Sequence, residues 1–262
     1  MGNDSSKTKH SGKGVASSLG IRGGPSNTTV QRHIDNARKS RILQLKSCGL
    51  KSWPQPLDEL QEVIRNLELS QNKIKELPPS IGLFCALKQL HLSENMIGVL
   101  PDEIGLLKNL ETLNLQSNKL STLPETIIGC SSLKTLNISA NCFSQFPVPV
   151  CHLISLDTLN LSQNSIVELP DEVGSLNASE LNLNQNRLNF LNADVLARCQ
   201  HLKILRVEEN CLVKTEFTVS LLSKSSVSII SYAGNIFQER EFQNLPGYDE
   251  YQQRFTATRR KM

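Results

Sequence analysis

The chain has 262 residues, 39% of them hydrophobic and 20% charged, with 28 basic and 25 acidic side chains giving a formal net charge of +3. That composition reads as a soluble chain: no apolar run approaches the roughly 20 residues of a membrane-spanning helix, and no secretory apolar segment opens it. The near balance of charge also argues against nucleic acid as a partner, since phosphates demand a basic stripe.

Residues 1–27, MGNDSSKTKHSGKGVASSLGIRGGPSN, are rich in Ser, Gly and Lys with almost nothing to bury, which predicts a disordered basic leader. Lys7, Lys9, Lys13 and Arg22 against Asp4 give it +3, so residues 28–262 are neutral by difference. Met1-Gly2-Asn3-Asp4-Ser5-Ser6-Lys7 matches the N-myristoylation pattern. Gly2 is the acceptor, because the amide forms on its freed α-amine. One myristoyl chain binds membranes only marginally, with K on the order of 10⁴ M⁻¹. Lys7, Lys9 and Lys13 would each add about 1 kcal/mol on an anionic leaflet. The expectation is a reversible lipid anchor at a cytoplasmic membrane face, with an ordinary Gly-Ser leader as the alternative. The next segment, 28–40, places Val30, Ile34 and Ala37 at helical spacing and reads as an amphipathic capping helix, with Thr28 or Thr29 as its N-cap.

From residue 41 to 237 the chain repeats. Asn72, Asn95, Asn118, Asn141, Asn164, Asn186, Asn210 and Asn235 are spaced by 23, 23, 23, 23, 22, 24 and 25 residues inside the frame LxxLxLxxNxLxxLP. Leu110, Leu113, Leu115, Asn118, Leu120, Leu123 and Pro124 make one copy, and Cys48 takes the asparagine slot in a first, N-terminal copy. A frame of 20–29 residues with this pattern marks a leucine-rich repeat. The expected fold is therefore an α/β solenoid of about nine repeats. A curved parallel sheet lines its concave side, and short helical or irregular segments lie on its convex side. The two leucines of LxL enter the core by strand alternation. The asparagine, carrying both donors and an acceptor, satisfies the backbone of a turn that stacking would otherwise bury unpaired. Residues 238–262 read as a C-terminal cap and tail. Six of the chain's twelve aromatics (Tyr232, Phe237, Phe242, Tyr248, Tyr251, Phe255) fall in its last 31 residues.

These 23-residue repeats resemble the intracellular leucine-rich repeats of the Ras-binding and Ras-suppressor type. The run Glu180-Leu-Asn-Leu-Asn-Gln-Asn186, the run Leu202-Lys-Ile-Leu-Arg-Val-Glu-Glu-Asn-Cys-Leu212 and the tails Gly247-Tyr-Asp-Glu-Tyr and Arg254-Phe-Thr-Ala-Thr258 carry a narrower likeness within that group. It extends over roughly residues 28–262. The resemblance implies a small cytoplasmic protein, possessing no activity that carries over. Seven cysteines, an odd number with no terminal clusters, agree with that compartment. Cys48, Cys142 and Cys211, at or beside the asparagine slot, are expected to be small buried thiols. The sequons at Asn3, Asn27, Asn137, Asn160 and Asn177 then carry no glycan.

Chemistry is sparse. His10, His33, His91, His152 and His201 are not grouped at metal-ligand spacing, and Gly12-Lys13-Gly14 is not a phosphate loop. No catalytic residue, metal, cofactor or small-molecule substrate is expected, and the chain reads as a monomer. The surface left is the concave sheet face. One row carries Gln44, Glu68, His91, Asn114, Asn137, Asn160, Asn182, Arg206 and Ser231. Its neighbour carries Ile42, Asn66, Gln89, Thr112, Thr135, Thr158, Glu180, Ile204 and Ile229. Such amides and hydroxyls are ordinary on solvated strands, where they brace the sheet, and they also suit hydrogen bonding to a protein partner. The functional expectation is a non-catalytic adaptor that binds an unidentified protein through that face and a membrane through its N-terminus. A soluble regulatory subunit of a signalling enzyme, such as a phosphatase or small GTPase, is the alternative.

Overall fold

The computed structural model describes residues 27–260, with side chains from Arg32 onward. The expected leader, with Gly2, Lys7, Lys9 and Lys13, lies outside the described residues. Nine three-residue strands form one sheet in chain order: β1 Ile42–Gln44, β2 Asn66–Glu68, β3 Gln89–His91, β4 Thr112–Asn114, β5 Thr135–Asn137, β6 Thr158–Asn160, β7 Glu180–Asn182, β8 Ile204–Arg206 and β9 Ile229–Ser231. Every pairing is parallel, and the register brings Thr112 beside Thr135 and Asn114 beside Asn137. The central residue of each strand, leucine in β1 to β8 and Ile230 in β9, is buried. The fold is an α/β leucine-rich repeat solenoid of about nine repeats.

Each asparagine of the frame closes one turn onto the previous repeat. Asn118 donates through Nδ2 to Leu115 O (3.0 Å) and to Leu92 O (2.9 Å), and its Oδ1 accepts from Ile97 N–H (3.0 Å). Asn72, Asn95, Asn141, Asn164, Asn186, Asn210 and Asn235 repeat the same set of contacts one rung apart. Backbone groups that stacking removes from water are thereby paired. The residue just before each of these asparagines sits in the left-handed region. Gln71, Glu94, Ser117, Ala140, Gln163, Gln185 and Glu209 have φ between 52° and 59°, and Gly234 alone fills the position with glycine.

On the other side of the core, 3-10 turns follow prolines. Gln55–Leu60, Pro79–Leu83, Asp102–Leu106, Glu125–Gly129, Val148–His152 and Asp171–Ser175 are each preceded by a proline in extended conformation. Proline lacks an N–H that no partner could take there. The last repeats depart. Asn192 stands where proline would, and the 24- and 25-residue intervals carry an α-helical turn, α2 (Ala193–Leu196), and a π-helical turn at Ser220–Lys224. A helix wound with a lower rise per residue takes up the extra residues without moving the strands.

Both ends of the sheet are covered. At the first edge lies α1 (Asn27–Ser40), with Ile34 and Ala37 buried. Because the helix already includes Asn27, Thr28 and Thr29 lie in its first turn and neither is the N-cap. Arg41, at φ 61°, ends it by donating its N–H to Ala37 O. At the last edge, α3 (Glu239–Gln243) and α4 (Tyr248–Arg259) bring an aromatic cluster over β9. Phe242 stacks on Tyr232 with centroids 3.9 Å apart. Tyr251 Oη accepts the Ile230 N–H at 3.0 Å, and Arg254 donates to Val227 O and Ser223 O.

The thiol expectation needs correction. Cys142 and Cys211 are exposed and Cys48 is half-buried, whereas Cys130, Cys151 and Cys199 in the convex segments are buried. The asparagine itself fills the inward place, so the residue after it points out. At Cys48 the slot belongs to the terminal copy, which has no preceding repeat to close over it.

Candidate functional site

The open face of the sheet gathers the residues that the sequence assigned to partner binding. Asn114, Asn137, Asn160 and Asn182 lie on adjacent strands in one row, with His91 before them and Arg206 after. Thr112, Thr135 and Thr158 form the parallel row. All are half-buried.

The four asparagines are more organised than a solvated row requires. Each Oδ1 accepts the backbone N–H two residues on: Asn114 from Gln116 (3.1 Å), Asn137 from Ser139 (3.1 Å), Asn160 from Ser162 (3.0 Å) and Asn182 from Asn184 (3.0 Å). Those bonds fix which way each amide points. Each Nδ2 is left without an acceptor among the described residues, as are the three threonine hydroxyls. The face therefore presents a row of oriented amide donors, repeated at the roughly 4.8 Å strand spacing. The sequence contained the asparagines but not this polarity, whose signal is a residue two positions on with a free N–H.

The charged end of the face is closed on itself. Arg206 Nε donates to Glu180 Oε1 at 2.7 Å, and Asn184 Nδ2 to Glu208 Oε2 at 2.6 Å. Along the rim, Glu111 takes Lys88 at 2.7 Å and Lys134 at 3.0 Å across three repeats. The hydrogen bond from Lys88, then that from Lys134, hold its carboxyl down at about 2. On the flank, an open cavity of about 450 Å³ is lined by Ser144, Phe146, Val148, Val167, Glu168 and Pro170. Among the described residues no group of three or more His, Cys, Asp or Glu side chains could hold a metal, and no helix is long and apolar enough to cross a membrane.

The leucine-rich repeat family models match residues 62–120, 85–143 and 155–176. The solved PEPR1–AtPEP1 structure is 27% identical over 74% of this chain, with a TM-score of 0.62, although the chain spans only 28% of that one. The leucine-rich repeat domain of APL1B is 19% identical, TM-score 0.64, covering 84% of this chain and 66% of that one. Internalin C2 of Listeria monocytogenes is 21% identical, TM-score 0.63, covering 74% and 80%. The last two speak for the fold alone. Repeat, sheet and neighbours agree on the leucine-rich repeat fold.

Proposed function

We propose that the protein is a non-catalytic scaffold that binds another protein through the open face of its sheet and is held reversibly at a cytoplasmic membrane surface by an acylated basic leader. The observation that supports the first part is the donor row at Asn114, Asn137, Asn160 and Asn182, whose oxygens are occupied and whose Nδ2 groups are free. Outward donors at a fixed pitch suit a partner segment rich in carbonyl or carboxylate acceptors. The PEPR1–AtPEP1 likeness is in keeping with that use of the fold. Aromatic and unpaired arginine anchors are scarce on this face, so moderate affinity is expected. The anchor rests on Gly2 and on Lys7, Lys9 and Lys13. The narrower likeness of the chain's ends is to leucine-rich repeat-containing protein 57, which is in keeping with a small lipid-anchored cytoplasmic protein.

A photo-crosslinking residue placed at Asn137 should give discrete protein adducts in cells, and the same residue at the exposed convex position Ile128 should give none of them. The same adducts from both positions, or none from Asn137, would overturn the open face as the binding surface. For the anchor, Gly2→Ala should move the protein from the membrane fraction to the cytosol. If the N-terminal peptide gains no mass on glycine when co-expressed with an N-myristoyltransferase, the soluble regulatory-subunit reading replaces it.

A further inference from the structure

The neutrality of the folded chain conceals a polarity along the stack. The segment 27–53, which forms α1, β1 and the turn after it, holds Arg32, Arg38, Lys39, Arg41, Lys46 and Lys51 against the single acid Asp35. Residues 54–200 hold 9 basic and 16 acidic side chains. The charge thus changes from +5 over residues 27–53 to −7 over residues 54–200, the first repeat's convex turn with Asp58, Glu59 and Glu62 falling in the second count. A uniform mixture of signs would not do this.

The surplus is also accessible and unspent. Arg32, Lys39, Arg41, Lys46 and Lys51 are exposed, and among the described residues none of their side chains meets a carboxylate. Arg38 alone is taken, by Glu59 on the neighbouring turn. Asp58 on that turn is likewise engaged, accepting from Trp53 Nε1 and Ser80 Oγ. All five free cations belong to one end of the molecule, because β1 is an edge strand paired only with β2 and α1 packs on its outer side. The chain enters this end from the leader, whose Lys7, Lys9, Lys13 and Arg22 continue the same sign.

We infer that the basic N-terminal cap, Arg32, Lys39, Arg41, Lys46 and Lys51, is a second membrane contact: it rests on an anionic leaflet and stands the solenoid end-on. The inference rests on the reading of a membrane-facing protein, although it does not need the acyl chain. Charge complementarity selects an anionic lipid surface, and the position selects it again, since the cap is where the acceptor-bearing leader joins the fold. Attraction at the cap and repulsion of the acidic body together set the orientation. The open face then stands clear of the bilayer instead of being pressed against it. The interaction acts within a Debye length of about 8 Å at physiological salt, so only groups at this end take part.

The test uses the full chain and vesicles of phosphatidylcholine with or without phosphatidylserine. Four protein forms are compared: wild type and Gly2→Ala, each with and without Arg32→Gln, Lys39→Gln, Lys46→Gln and Lys51→Gln. These are exposed side chains, so the fourfold variant should keep its melting temperature. With the Gly2→Ala background removing the acyl chain, the four cap substitutions should weaken binding to the phosphatidylserine vesicles on the order of 1,000-fold and leave the pure phosphatidylcholine vesicles unaffected. Bound vesicles should shield Lys39, Lys46 and Lys51 from amine modification while Lys203 and Lys214 stay reactive. Equal binding by intact and substituted caps, or equal modification of all five lysines, would overturn the inference and leave the acyl anchor untouched. Cap-dependent loss of binding to RNA or to an acidic protein without loss on vesicles would overturn it too. Failure of acylation with cap-dependent vesicle binding intact would instead sink the anchor and support the cap.

Discussion

At the scale of single residues, one amino acid is used in two opposite ways. The ladder asparagines spend both ends of the amide on buried backbone groups, whereas the open-face asparagines spend only the oxygen. Substituting Asn118 by alanine leaves Ile97 N–H unpaired in a buried turn and takes one of two amide donors from each of the Leu92 and Leu115 carbonyls, which keep Asn95 and Asn141. One buried unsatisfied group costs roughly 1–3 kcal/mol, so chemical denaturation should show a loss of about 2–3 kcal/mol. Asn114→Ala, which frees the N–H of half-buried Gln116 at a place water can reach, should cost less than about 1 kcal/mol. A second residue-scale expectation concerns the thiols. Burial pushes Cys130 and Cys151 up to about 12 and Cys199 to about 11, from an ordinary 9.0. In the native protein a thiol reagent should modify Cys85, Cys142 and Cys211 promptly and spare these three until unfolding, as read by peptide mass. The linkage has a definite sign. The folded values lie above the unfolded ones, so the contribution is fully present below about pH 9 and is lost as pH rises through 11 to 12. Glu111 has the opposite sign, held down at about 2 by Lys88 and Lys134, so what it contributes is present above the usual carboxylate range and lost as pH falls through about 2.

Elements are joined by close backbone approach as much as by leucine packing. A Cβ on Gly105 would sit 2.0 Å from Thr126 O, and one on Gly129 would sit 2.2 Å from Gly105 O. These glycines let the convex turns Asp102–Leu106 and Glu125–Gly129 nest while their strands keep the β spacing. Gly105→Ala should therefore lower stability by about 2–3 kcal/mol, because the obstacle is main chain and cannot rotate away. Gly98→Ala, with nothing near its Cβ, is the matched control and should melt within a degree or two of wild type. Strand positions and register were legible from the sequence, since Leu113 and its counterparts recur at a fixed offset from each asparagine. The close backbone approach at Gly105 and Gly129 and the left-handed residues before each ladder asparagine were not. Gln163 and Ala140 give no local sign of positive φ, which stacking imposes on them against a preference of roughly 1–2 kcal/mol. The exposed thiols at Cys142 and Cys211 were misread for a related reason: which neighbour of the slot turns inward is decided by the turn and not by hydrophobicity.

For the whole molecule, nine repeats share one core, and the two ends are finished by different means. The N-terminal end carries a basic helix, and the C-terminal end an aromatic cluster in which Tyr251 takes over the hydrogen bond that a tenth strand would have supplied. Between them the repeated register converts a sequence motif into a regular surface, and that surface is the part of the site the sequence made visible. The orientation of its amides came only with the fold, because it depends on backbone N–H groups at Gln116, Ser139, Ser162 and Asn184. The chain thus carries two populations of asparagine, one holding the solenoid and one with its amide donors turned to solvent. Side-chain amide exchange measured by NMR on protein labelled at asparagine separates them directly. The NH₂ groups of Asn95, Asn118, Asn164, Asn186 and Asn210 should be protected from solvent exchange by at least tenfold relative to those of Asn114, Asn137, Asn160 and Asn182, on the order expected for buried against open hydrogen-bonding groups. Equal protection of the two sets would contradict both the assignment of the open-face donors and the function built on them.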